Sequence, residues 1–202
     1  MADLQKQFGN IDIYLFDQIL KGRILPRMRI LDAGCGGGRN LVYFLQQHFE
    51  VFGVDQDPQC IAEVRQLASH LGNGLPPANF QVGRVEAIPH PDAFFDWVLS
   101  NAVLHFAEDE RHLVAMVKGM WRVLKSGGVL FVRLASSIGM EKGVKRVKGR
   151  RFLLPDGTER FLVDAAMLEK LTRGLGAELV DPIKTTIVQN QRCMTTWVIR
   201  KF

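Results

Sequence analysis

The sequence predicts an α/β fold, and three observations carry that expectation. Short apolar runs of strand length recur along the chain, among them Val51–Val54, Asn79–Val82, Phe94–Asn101 and Val129–Leu134. Helical patterns, with apolar residues three and four apart, lie between several of them. The first run (Met28, Ile30, Leu31) ends in an acid and a glycine-rich turn, Asp32-Ala33-Gly34-Cys35-Gly36-Gly37-Gly38, before a helical pattern opens at Leu41, Val42, Phe44 and Leu45. Strands alternating with helices are the mark of the α/β class.

Each element has a local reason. Residues 10–22 read as a helix that Asn10 or Asp12 caps and Gly22 ends. Its Tyr14 and the following Lys21 and Arg23 either face a ligand or belong to a docking helix with a solvated basic end. At the glycine turn, absent Cβ atoms permit positive φ and close approach of a ligand. The helix behind it offers free N–H groups to a carboxylate or phosphate, so a small molecule with an anionic end is expected there. A dinucleotide fingerprint begun at Gly34 would need glycine or alanine where Arg39 stands. A phosphate loop would need Lys-Ser or Lys-Thr, and neither follows. The second apolar run ends in Asp55, suited to accept hydrogen bonds from ribose hydroxyls.

Asp57-Pro58 reads as a helix cap and first helical residue, with Ile61, Val64, Leu67, Ala68 and Leu71 as a core stripe. Gly72–Pro77 is a loop. The third run leads into Gly83-Arg84-Val85-Glu86, and the fourth, Phe94–Asn101, into Val103-Leu104-His105-Phe106. A long helix from Glu108 buries Leu113, Val114, Met116, Val117, Met120, Trp121 and Leu124, and Lys125-Ser126-Gly127-Gly128 is its stop signal before the fifth strand, Val129–Leu134. Asp156-Gly157 between Arg151–Leu154 and Arg160–Val163 is a hairpin signal. Asp164 caps a helix running to Leu175, and Glu178–Val188 and Cys193–Lys201 read as two closing strands.

Composition narrows the classes. The 202 residues, 47% hydrophobic and 23% charged, suit one α/β domain with an adequate core. No apolar stretch approaches the ~20 residues that span a bilayer, and Met1–Lys6 lacks the apolar core of a signal peptide. Cys35, Cys60 and Cys193 form no C-x-x-C pair, so a reducing cytoplasm is expected. No His/Cys/Asp/Glu cluster has metal-ligand spacing, and no metal is expected. Net charge is +5, and it is concentrated: six of the eleven residues Glu141–Arg151 are Lys or Arg. That run is a solvated loop, a phosphate-binding patch or part of an acceptor pocket, and the sequence leaves the three open.

An acid, a spacer and alternate glycines (Asp32, Gly34, Gly36, Gly38), then Asp55, then Gly83–Pro89, Phe94–Asn101 and Trp121–Leu130 in this order, resemble the motifs of the class I S-adenosylmethionine-dependent methyltransferases. The Gly-Arg-Asn ending of the first motif and the short chain resemble the small tellurite-resistance and ubiquinone-biosynthesis types. The resemblance covers residues 28–135 closely. It implies a Rossmann-like three-layer sandwich around a seven-stranded, mostly parallel sheet with an antiparallel last strand. It implies one domain over 1–202, with 1–25 as a leading helical cap and 136–163 as a basic connection and hairpin insert. S-adenosylmethionine would be the cofactor and S-adenosylhomocysteine the product.

The resemblance also distributes roles. Asp32 would orient the loop and the methionine ammonium, with Ala33, Gly34 and Gly36 offering backbone. Asp55 would take the ribose, Gln56 the adenine edge, and Asn101 the methionine end. In many members an acid near the end of the third strand binds the adenine amino group. Here Arg84 stands in that place, so the role is absent or passes to Glu86, with Val85 offering its N–H. His105 is a candidate general base or a packed histidine. His90 reads as a loop residue, and His48, His70 and His112 as exposed. The expected activity is methyl transfer to a small-molecule acceptor, an anionic one if the basic run lines its pocket. The alternatives are the same chemistry on RNA or protein, and a non-catalytic cofactor-binding module. No Asn/Asp-Pro-Pro-aromatic motif of base-amine methylators follows the fourth strand, where Ser100-Asn101-Ala102-Val103 stand. The acceptor atom and the oligomeric state are not legible.

Overall fold

A computed structural model describes residues 3–202 apart from Asn73, which falls in the loop expected from Gly72 to Pro77; Met1 and Ala2 of the N-terminal stretch also lie outside the described residues. In chain order the elements are α1 (Leu4–Phe8), α2 (Ile13–Leu20), β1 (Arg29–Ala33), α3 (Val42–Gln46), β2 (Glu50–Asp55), α4 (Pro58–Leu71), β3 (Phe80–Val82), β4 (Phe95–Asn101), α5 (Glu110–Val123), β5 (Leu124–Ala135), β6 (Lys145–Lys148), β7 (Arg151–Leu153), β8 (Glu159–Phe161), α6 (Ala165–Gly174), β9 (Glu178–Leu179), β10 (Lys184–Val188) and β11 (Arg192–Arg200).

The main sheet runs β10-β11-β5-β4-β1-β2-β3, with β9 pairing the far end of β11. β1 to β5 are parallel to one another, whereas β11 lies antiparallel to β5, β9 and β10. Alternating side chains point to opposite faces of a strand, and the core divides on that rule. Leu31, Val98, Leu130 and Val132 join α5 and α6 residues Leu113, Met116, Met120 and Leu168 on one face. Ile30, Trp97, Leu99, Val129 and Phe131 join Phe44, Leu45, Ile61 and Val64 of α3 and α4 on the other. The result is the expected three-layer sandwich.

Caps behave as their residue types dictate. Asp12, Asp57, Asp109 and Asp164 each accept a backbone N–H in the first turn of α2, α4, α5 and α6. α2 docks rather than lining a cavity with its basic end. Arg23 and Lys21 hold Asp181 at 2.7 and 3.2 Å, and Gln18 donates to the same carboxylate at 2.8 Å.

Three boundaries differ from the sequence reading, each for a tertiary reason. The helix ending in α5 stops at Val123, before its glycines, because Leu124 turns extended and pairs with Phe95. Lys201 also donates to the carbonyls of Trp121 and Leu124 at 2.7 and 2.8 Å. The strand expected over Glu178–Val188 breaks into β9 and β10 at Asp181-Pro182, where proline cannot donate to a ladder and Asp181 is drawn to α2. Part of the basic run is itself a strand: β6, β7 and β8 form a separate antiparallel sheet around the expected Asp156-Gly157 hairpin.

Candidate functional site

The glycine turn leaves β1 at the carboxyl edge of the sheet and is pinned to β2. Gly34 and Cys35 donate to the Val54 carbonyl at 2.7 and 3.1 Å, and Gly36 donates to the Asp55 carboxylate at 2.9 Å. Gly34 has φ +84°, and a Cβ there would lie 2.3 Å from Val103. Only glycine meets both conditions, and this lets the turn lie flat against the chain leaving β4. Above Gly36 there is open space.

That space belongs to a cavity of about 340 Å³, within the range of small-molecule sites. Gly34, Gly36, Asp55, Gln56, Val85, Glu86 and Asn101 line it. Seven of the nine expected cofactor-side residues therefore come together. The other two, Asp32 and Ala33, lie beneath the turn, fully buried. Asp32 does not orient the turn by hydrogen bonding: neither carboxylate oxygen has a partner among the described residues. Desolvation pushes its carboxyl up to about 7; Arg39 pulls it down and Asp55 adds to the rise. Asp55 by contrast is engaged, taking Gly36 N–H on one oxygen and Asp57 N–H on the other at 3.0 Å.

Arg84 and Glu86 form an ion pair at 2.5 Å, so the basic residue in the acid's customary place turns toward the acid two positions on. Glu86 also faces His112 at 3.6 Å. His112 was expected to be exposed, yet it is partly buried and lines the cavity. Its place in the first turn of α5, which overhangs the sheet edge, is the signal that identifies it. α5 comes that close because of Gly119, where a Cβ would lie 2.3 Å from the Val85 carbonyl.

A second cavity, of about 380 Å³, adjoins the first, and Asn101 and Ala102 line both. Ala102 holds φ +64°, a strained conformation for a residue with a Cβ, of a kind that clusters at functional sites. His105 lines the second cavity and is 7% exposed, its Nδ1 unpartnered among the described residues. Desolvation, and secondarily Arg160, hold its pKa down to about 4, so it is neutral at neutral pH. Arg39, Arg133, Arg160 and Arg192 also line this cavity, with Asp12 and Asp156. Of these, Arg133 had a sequence signal, a charge inside the apolar run of the fifth strand; Arg160 and Arg192 had none.

The basic run does not line either cavity. Arg150 binds Asp164 at 2.8 Å, Arg151 binds Glu159 at 2.6 Å, and Lys142, Lys145, Arg146 and Lys148 are exposed. Among the described residues there is no metal-ligand cluster, and no helix is long and apolar enough to cross a membrane.

Comparison with known proteins agrees with this geometry. Residues 31–132 match a family described as a methyltransferase domain. A malonyl-[acyl-carrier protein] O-methyltransferase of Enterobacter lignolyticus is 36% identical over 111 residues, 54% of this chain and 39% of that one. A tRNA 5-carboxymethoxyuridine methyltransferase of Escherichia coli K12 is 26% identical over 124 residues, 61% of this chain and 46% of that one. The chain thus matches less than half the length of these curated relatives. In fold it is similar to the PH0226 protein of Pyrococcus horikoshii, with a TM-score of 0.73 at 20% identity, covering 94% of this chain and 89% of that one.

Proposed function

This chain belongs to the methyltransferase domain family, and from that premise we propose that it transfers the methyl group of S-adenosylmethionine to a small-molecule acceptor. The observation that carries the proposal is the pair of cavities meeting at Asn101 and Ala102. One is built for a nucleoside with an amino-acid tail, and the other is a polar chamber beside it.

The residues present fit the cofactor. Asp32 offers two buried, unpartnered carboxylate oxygens, a deficit that an ammonium group fills, directly or through water. Gly34 and Gly36 let a ligand approach backbone without meeting a Cβ. Asp55 spends one lone pair of one oxygen on the glycine turn and one of the other on Asp57 N–H, and keeps the rest for ribose hydroxyls. Gln56, Val85 and Glu86 line the stretch suited to adenine, Glu86 taking the role of the absent acid, and Asn101 serves the methionine end.

When bound, the cofactor supplies an electrophilic methyl group on a sulfonium, and the chain supplies position and electrostatics. Alignment of the reacting atoms is worth on the order of 7–11 kcal/mol in favourable cases. Asn101 is fixed by Arg39, which donates to its Oδ1 at 3.0 Å, leaving Nδ2 unpartnered at the border of the two cavities. His105, neutral and recessed, positions an acceptor by hydrogen bonding; a base with its pKa near 4 takes protons poorly at neutral pH.

The two relatives are named for acceptors carried on a protein and on a tRNA. Transfer to RNA has one observation in its favour, the exposed cations of β6 and its flanks. The small-molecule reading rests instead on the second cavity, of about 380 Å³, which adjoins the first at Asn101 and Ala102. To test it, the protein is incubated with methyl-labelled S-adenosylmethionine and, separately, with a small-molecule extract, total RNA and a protein fraction. Label in a small-molecule product supports the proposal. Label in RNA or protein overturns it, and label nowhere favours a non-catalytic module.

A further inference from the structure

The second cavity has more built chemistry than a generic acceptor chamber needs. Three of the residues that line it each carry a buried polar atom with no partner among the described residues: Asn101 Nδ2, His105 Nδ1 and Arg133 Nε. Buried polar groups are normally paired, and three orphans around one space point to a missing ligand. Four arginines face two acids there. Arg133 is taken by Asp12 through its Nη1, and Arg39 is occupied by Asn101 and the Asn10 carbonyl. Arg160 lies over the Phe106 ring at 4.9 Å and gives one N–H to the Glu159 carbonyl. Among the described residues neither Arg160 nor Arg192 has a carboxylate within ion-pair distance, although Asp156 is near enough to feel both charges. Ala135, Leu154 and Met194 complete the wall with apolar surface.

We propose that this cavity is a carboxylate-binding site, in which Arg160 and Arg192 hold the acid group of the methyl acceptor while its apolar body lies against Leu154 and Met194. Its assignment to the acceptor rests on the methyl-transfer reading; its anion chemistry does not. Guanidinium groups present paired donors matched to a carboxylate. A neutral His105 and Asn101 add hydrogen bonds without adding charge. Asp156 in the same wall disfavours a dianion, whose repulsion would be doubled, and so favours a carboxylate over a phosphate. The basic run outside plays no part, so selectivity lies in two residues that are distant in sequence and carry no motif.

The test uses the full chain at neutral pH, with S-adenosylhomocysteine binding measured separately by calorimetry. Benzoate, its neutral isostere benzamide, and inorganic phosphate are titrated in turn, following arginine Nε–H signals by NMR. Benzoate is expected to bind about tenfold or more tighter than benzamide, the worth of one charge-assisted hydrogen bond, and tighter than phosphate, and to shift the Arg133 signal. R160M and R192M are each expected to erase that preference while S-adenosylhomocysteine affinity stays unchanged. Both residues are at least partly exposed, and the unchanged affinity verifies the fold. Equal binding of benzoate and benzamide, tighter binding of phosphate, or a preference untouched by both substitutions overturns the proposal. If arginine-dependent benzoate binding persists but S-adenosylhomocysteine does not bind, the cofactor reading fails and the carboxylate site stands.

Discussion

If Asp32 meets the ligand's ammonium as proposed, ligand binding is predicted to be a proton-linked event. Its carboxyl is pushed from an ordinary 3.8 to about 7 by burial without a partner. At pH 6 it is therefore about 0.9 protonated in the free protein, and a cationic group seated beside it draws the proton off. S-adenosylhomocysteine carries the same ammonium as the cofactor. Its binding is predicted to release about 0.9 proton at pH 6 and far less by pH 8, with affinity falling roughly tenfold over that range as pH drops. Calorimetry at each pH in two buffers of different ionisation enthalpy counts the protons.

The free protein is expected to show the converse. A carboxyl raised in the folded state binds its proton more tightly there than in the unfolded chain, so stability falls as pH rises from about 4 to about 7 and is flat above. The shift corresponds to about 4 kcal/mol as an upper bound, at about 1.4 kcal/mol per unit. Asp32→Asn is predicted to lose that component of the pH profile and the proton release together, and the difference from wild type isolates Asp32 from other titrating groups. A wild type that binds with no proton release at pH 6, or an Asn variant with an unchanged profile, refutes the reasoning.

Other substitutions test the supports of the site. Gly119→Ala would gain up to about 1 kcal/mol of helix propensity, but its Cβ would meet the Val85 carbonyl at 2.3 Å. A net loss of about 1–3 kcal/mol is expected in denaturant unfolding, together with weaker cofactor binding because the Glu86 wall shifts. His105 has a lowered pKa, so the folded state resists its protonation and stability is lost as pH falls from about 6.5 toward 4. His105→Gln is expected to flatten that part of the profile by at most about 3 kcal/mol. At Asp181, burial works to raise the pKa and is overcome by hydrogen bonds from Arg23, Gln18 and Lys21, leaving it well below the usual carboxylate range. Its stabilisation is present above about pH 4 and lost as pH falls further. Asp181→Asn is expected to cost about 1–3 kcal/mol and to speed amide exchange in α2.

The lining of the first cavity and the strand ends beneath it were legible in the sequence because their parts are local. Asp32, Gly34, Gly36 and Asp55 sit at the ends of strands, where an apolar run, an acid and a turn follow one another. The reading failed wherever the reason lay in tertiary contact. The helix before Lys125-Ser126-Gly127-Gly128 ends one residue earlier than read, at Val123, because Leu124 pairs with Phe95. His112 reads as surface until Gly119 brings α5 onto the Val85–Ala87 turn. Arg133, Arg160 and Arg192 lie apart from the concentrated charge at 142–151. These come from three separate elements, and only the fold gathers them around one cavity.

The central claim is that the glycine-turn cavity holds S-adenosylmethionine by its ribose on Asp55. Calorimetric titration of the wild type and of Asp55→Ala with S-adenosylmethionine and S-adenosylhomocysteine tests it most directly. Micromolar binding to the wild type is expected, an affinity of about 8 kcal/mol, with loss of about tenfold or more in the variant as charge-assisted hydrogen bonds disappear. Wild-type protein that binds neither ligand would contradict the account, and equal affinity in the variant would contradict the role given to Asp55.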